Sequence, residues 1–172
     1  MTNPQREQLK SNLREMMSAE HSGLQLDTEF FWIVSGIKDP VRFFQNLSLL
    51  LPPNGVLYFE GCAIASDVAA FYEHNATPTR TAVARDTICP VPQCFHVTHS
   101  PHFVKQLCEQ AEQRAVPELF DHVKGYDRQA LVFHFHDAFD NDLLIADRVA
   151  ETNVREFCIR LNATYAKEPN VD

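Results

Sequence analysis

FFWIVSGIKDPVRFFQNLSLLLPPNGVLYFEG, residues 30–61, is the stretch on which the fold class turns. It holds two apolar runs, FFWIV (30–34) and VLYFE (56–60). Both are rich in the aromatic and β-branched residues that suit a pleated, buried strand. Between them, Asp39 and Pro40 place a capping side chain before a proline suited to the first helical position. Phe43, Phe44, Leu47, Leu50 and Leu51 follow at helical spacing. Pro52 stops the helix, because proline disfavours helical geometry in the residue before it. PPNG (52–55) is a turn. Strand, helix and strand in this order predict a parallel pair joined by a right-handed crossover.

The same signals extend outward. Upstream, Asn3 and Pro4 start a helix over residues 1–22 with Leu9, Leu13, Met16 and Met17 on its apolar stripe, and Gly23 stops it. Downstream, Ser66 caps a helix that turns Val68, Phe71 and Tyr72 inward. TRTAVAR (79–85) alternates weakly, as an edge strand does, and DTICPVPQC (86–94) is an extended loop. CFHVT (94–98) is a short strand. Ser100 and Pro101 begin a helix that buries Phe103, Val104, Leu107, Cys108 and Ala111. LFDHVKG (119–125) and QALVFHFHD (129–137) flank a turn at Tyr126-Asp127-Arg128 and form a hairpin. DLLIA (142–146) is the last strand. Val154, Phe157, Cys158 and Leu161 mark the final helix, and KEPNVD (167–172) is a frayed tail. The expectation is one domain over residues 1–172, α/β or α+β in class. Its mixed sheet has about five or six strands, with a βαβ unit first and a hairpin and helix last.

Composition narrows the function. Hydrophobic residues make up 45% and charged residues 22%, a globular balance. Thirteen Phe against one Trp and four Tyr predict a phenylalanine core. A formal net charge of −8 repels phosphate backbones, which argues against nucleic acid and favours a basic protein partner. No apolar run is long enough to cross a bilayer, so no membrane partner is expected. MTNPQREQLK (1–10) lacks the apolar core of a signal peptide. The five dispersed cysteines then read as reduced thiols in a cytoplasmic protein.

Two stretches concentrate reactive side chains. CPVPQCFHVTHSPHF (89–103) holds Cys89, Cys94, His96, His99 and His102. A structural zinc site needs four such ligands in spaced pairs, and the four residues between these cysteines are a loose spacing. LVFHFHDAFDND (131–142) has better geometry. On a strand, His134 and His136 share a face, with Leu131, Phe133 and Phe135 on the other. Asp137, Asp140 and Asp142 follow as carboxylates that can ligate a metal or orient a histidine. His134, His136 and Asp137 are therefore the candidate ligands for a divalent metal such as zinc. Glu60 ends an apolar strand, a costly place for a carboxylate without a partner. Glu60, His96 and Asp137 are the catalytic candidates, with His99 approaching from the loop.

His96-Val97-Thr98 resembles the histidine–hydrophobic–threonine motif of the 2H phosphoesterases. That resemblance implies a phosphodiester handled by His96 and Thr98. The second copy would be His134 to Asp137, where His136 stands in place of threonine. The helix before LPPNG and VLYFEG (56–61) resembles a late segment of class I methyltransferases. The cofactor loop of those enzymes needs clustered glycines, and the five here, Gly23, Gly36, Gly55, Gly61 and Gly125, are far apart. A Rossmann or P-loop phosphate cradle is excluded on the same ground, and nucleotide cofactors with it. Cys108 and Cys158 lie on apolar stripes as inert thiols, and Cys62 fills space at a strand end. No nucleophile elbow is present. With those motifs missing, the first expectation is a protein-interaction module that binds another protein or itself through the stripe at residues 1–22. The alternative is a metal-assisted hydrolase, of a phosphoester for instance, built on His134, His136 and Asp137.

Overall fold

The computed structural model describes residues 28–78, 85–87 and 90–170. Among these residues seven strands form one sheet: β1 (Phe30–Ser35), β2 (Val56–Gly61), β3 (Gln93–Thr98), β4 (His122–Asp127), β5 (Ala130–Phe135), β6 (Leu143–Ala146) and β7 (Thr164–Pro169). Their order across the sheet is β3-β2-β4-β5-β6-β1-β7, and every pairing is antiparallel. The helices are α1 (Pro40–Gln45), α2 (Ser66–His74), α3 (Pro101–Ala111), α4 (Val116–Leu119) and α5 (Glu151–Leu161), with a 3-10 turn at Leu47–Leu49. Among these residues no helix is long and apolar enough to cross a membrane.

The mixture of helix and strand agrees with the expected class, but the sheet is larger than expected and not mixed. β1 and β2 are not paired. Four successive antiparallel steps, β2 to β4, β5, β6 and β1, leave them running the same way with three strands between them. Both runs are strands, as their composition requires, but an apolar run does not specify its neighbour. The meander β4-β5-β6 fills the gap, joined by short connections that antiparallel strands allow and parallel ones do not. β7 pairs along the whole of β1, so Lys167, Glu168 and Pro169 close the sheet edge rather than fray.

Local chemistry explains two of the five described helix starts. Asp39 Oδ1 accepts the Arg42 N–H at 3.0 Å, and Ser100 Oγ accepts the Phe103 N–H at 3.2 Å. Each cap precedes a proline. Ser66, read as a cap, is instead the first residue of α2, and Ala65 takes the cap position without a side-chain bond. The helix at residues 1–22 and the strand at 79–84 lie outside the described residues.

One sheet face carries the main core. Leu57, Phe59, Val123, Phe133, Phe135 and Ile145 meet Phe43, Phe44, Phe103, Leu107 and Phe157 from the helices. Phe43 has five phenylalanine rings within 5.2–6.1 Å. The other face has a smaller apolar cluster of Val56, Tyr58, Tyr126, Leu131 and Ala146. Leu131 belongs to this second face, not beside Phe133 as strict alternation predicts. The register jumps from Gly125–Phe133 to Tyr126–Leu131, so Val132 is an extra residue in β5. Such a bulge reverses the facing of what precedes it. Gly125 lies directly under the Phe133 ring, where a β-carbon would come within 2.1 Å of Cε1.

Candidate functional site

The second face also carries a polar cluster, in two rows set by strand register. Directly opposed residues share a face. Tyr58 on β2 opposes His96 on β3 and Lys124 on β4, and Lys124 opposes His134 on β5. In the next row Glu60 opposes Cys94 and His122. His136, just past β5, stacks its ring on His122 with centroids 4.5 Å apart. Glu60, His122, Lys124 and His134 are all buried.

Residues 85–87 lie over these rows and supply the carboxylate at the centre. The Asp86 side chain is 1% exposed, with Oδ2 3.0 Å from Lys124 Nζ and 3.3 Å from His134 Nε2. Its Oδ1 lies 3.7 Å from His136 Nδ1. Burial pushes the Asp86 carboxyl up, but His134 and Lys124 outweigh it and hold the group well below the usual carboxylate range. The same segment satisfies Glu60. Glu60 accepts the Asp86 N–H at 3.0 Å, the Thr87 N–H at 2.6 Å and the Tyr58 hydroxyl at 2.8 Å. Burial, with Cys94 and Glu60 beside it, keeps Tyr58 a phenol. Burial also raises the exposed Cys94 thiol, 3.1 Å from the same hydroxyl, despite that bond; this is no ready thiolate.

His122 has a defined tautomer. Its Nδ1 accepts the Asp137 N–H at 2.9 Å, so the proton sits on Nε2, which donates to Thr87 Oγ1 at 3.1 Å. Burial holds its pKa below the ordinary histidine value, with Asp86 working the other way. The Asp137 carboxylate 3.5 Å from that Nδ1 is therefore not an ion-pair partner. That carboxylate instead reaches His136 Nε2 at 3.3 Å. Asp137 can hold this turn because its φ of 41° is left-handed, which aspartate tolerates better than most residues.

Among the described residues two sets of donor atoms lie within 4.8 Å of one another: Asp86, His134 and His136, and His122, His136 and Asp137. In the second set His122 Nδ1 is already occupied by the Asp137 N–H. The first set leaves its imidazole nitrogens facing a carboxylate, and it is the better ligand group. Asp137 thus sits beyond His136 from Asp86 and shares no ligand set with His134. His96 is on the same face as His134 but three strand spacings away, roughly 14 Å, with Tyr58 and Lys124 between. His96 and His134 therefore do not converge on one ion. His99 leaves the sheet and lies 3.2 Å from the Pro52 carbonyl, and His102 is exposed at the start of α3. Cys89 lies outside the described residues.

Asp86, Lys124 and His122 escape the sequence reading. Asp86 stands in a stretch with no periodic pattern. Lys124 falls opposite His134 only in the bulged register of the hairpin, which neither run encodes by itself, and His122 lies two residues before it on the same face. No protein-family model, curated protein or solved structure matches the chain.

Proposed function

We propose that this chain binds a divalent transition metal, zinc by ligand chemistry, through Asp86, His134 and His136, and uses it in hydrolysis. The observation that carries the reading is the convergence of one buried carboxylate and two imidazoles within 4.8 Å. Three protein ligands leave a fourth position for water, the arrangement of catalytic rather than structural zinc. The ion would lower the pKa of that water to near neutrality. Asp137 would accept the Nε2 proton bond of His136 and fix the tautomer whose Nδ1 is bare toward the metal, as carboxylate–histidine–metal triads do. Lys124 would balance charge beside Asp86. The chemistry such an ion would supply is ester hydrolysis: the water oxygen would add to the ester phosphorus or carbon, the ester bond would break, and the alcohol would leave with the proton the water gave up. A phosphodiester is the first substrate class to try.

Within this reading the protein is cytoplasmic with reduced thiols. The interaction reading rests on the stripe at residues 1–22, outside the described residues, and on the net charge of −8, which a hydrolase also tolerates.

The test is calorimetric titration of zinc-free protein with zinc, followed by turnover of bis-p-nitrophenyl phosphate. About one equivalent should bind, and Asp86→Asn and His134→Ala should each weaken binding by more than about a hundredfold, beyond the roughly 10–100-fold that loss of an outer partner costs. Binding of less than about a tenth of an equivalent would overturn the proposal. Binding without turnover of any ester would leave a metal site and remove the hydrolase.

A further inference from the structure

A second site stands apart from the histidine cluster, on the helix side of the sheet. A pocket of about 620 Å³ opens between α1, the 3-10 turn and α3, lined by Phe44, Pro53, His99, Val104 and Cys108. That volume is within the ordinary range for small-molecule sites. Its exposed lining is mostly apolar, as in most such sites, and His99 interrupts it together with Gln45 and Ser48. His99 is 5% exposed. Its Nδ1 lies 3.2 Å from the Pro52 carbonyl, and a carbonyl oxygen only accepts, so Nδ1 carries the proton. Burial holds the ring below the ordinary histidine pKa, outweighing the pull of Pro52, and the imidazole is neutral at pH 7. Nε2 therefore presents a lone pair, and no hydrogen-bond partner meets it among the described residues. The Cys108 thiol is directed to the Val41 carbonyl at 3.8 Å. At the rim Lys105 opposes Glu109 and Glu112, so the opening does not select strongly for either charge.

We propose that this pocket binds a small uncharged apolar compound carrying one N–H or O–H donor, which His99 Nε2 accepts. An acceptor lining a mostly apolar cavity loses its hydration when an apolar ligand enters, and recovers it only from a ligand donor. Selectivity therefore lies in that donor rather than in charge. The site does not depend on the metal reading and survives its failure.

Indole and benzofuran test this directly, because they match in shape and only indole has the N–H. In amide NMR titrations of the full chain, indole should shift Val104, Lys105 and Cys108, and bind roughly fivefold to tenfold more tightly than benzofuran, the yield of one hydrogen bond. His99→Phe should remove that preference, and Val104→Trp should fill the pocket and abolish both. The wild-type comparison needs no variant, so a misfolded substitution leaves the test intact. Equal affinity for the two compounds, or no shift at these amides up to the solubility limit, would overturn the proposal.

Discussion

Lys124→Met removes the ammonium beside Asp86 and keeps most of the side-chain volume. Both partners are out of water: Lys124 is 0% and Asp86 1% exposed, 3.0 Å apart. Breaking a buried pair strands the remaining charge, which costs about 3–5 kcal/mol. For a chain of this size each kcal/mol moves Tm by about 2–4 °C, so the variant should melt roughly 6–20 °C lower. The pH dependence has a definite sign. In the wild type the Asp86 carboxyl is held below its ordinary value, so its contribution is fully present above the unfolded pKa, about 3.9, and is lost as pH falls from there through the lower folded pKa. In the variant, burial is opposed by His134 alone, and Asp86 takes a proton at higher pH. The gap between the two proteins should narrow from pH 7 to pH 4.5. Urea melts at both pH values, with and without zinc, measure all of this. If a metal binds at Asp86, zinc restores the missing positive charge and should stabilise the variant more than the wild type. A variant within about 1 kcal/mol of wild type at pH 7 would refute the claim that Lys124 holds Asp86 ionised.

Three further outcomes follow from the geometry. Gly125→Ala drives a methyl into the Phe133 ring and should cost about 1–3 kcal/mol as overpacking; a neutral effect in urea melts would mean the ring moves freely. Glu60→Gln turns one acceptor toward a donor, leaving a buried N–H or hydroxyl unmet at about 1–3 kcal/mol, and hydrogen exchange at the Asp86 and Thr87 amides should quicken. His122 is depressed by burial, so below about pH 6.5 the unfolded chain takes the proton first and stability falls with acid. His122→Gln should flatten that part of the profile, and an unchanged slope between pH 7.5 and 5.5 would exclude His122 as its source.

Element types were largely legible because each rests on local chemistry. Asp39–Pro40 and Ser100–Pro101 start helices through bonds made within three residues. β1, β2, β3, β5 and β6 follow from short apolar or alternating runs. Strand order was not legible, because it depends on which surfaces the helices cover. β1 pairs with β7 across a register ending at Ser35 and Thr164, a separation no local pattern encodes. β7 itself, TYAKEP, is mostly exposed and lacks the apolar spacing that marks a strand. Its place is set by the open edge of β1.

The site was half legible, and the hairpin shows why. Asp127 pairs with Ala130, leaving two residues, Arg128 and Gln129, in the turn. Continued without interruption, that register would set Lys124 against Phe133 and Val123 against His134. It would force an ammonium and a phenyl ring onto one face and a valine and an imidazole onto the other. One inserted residue in β5 corrects the parity, and Val132 is that residue: Lys124 then opposes His134 and Val123 opposes Phe135. The polar pattern of the two runs thus demands the bulge, and the bulge puts a buried cation beside the histidines. A buried ammonium in turn demands an anion. The demand is readable in the hairpin; its answer is not, because Asp86 reaches it from a segment whose position depends on Glu60, which accepts the Asp86 and Thr87 N–H groups. Glu60, suspected because a carboxylate at the end of an apolar strand needs a partner, positions the residue that completes the cluster.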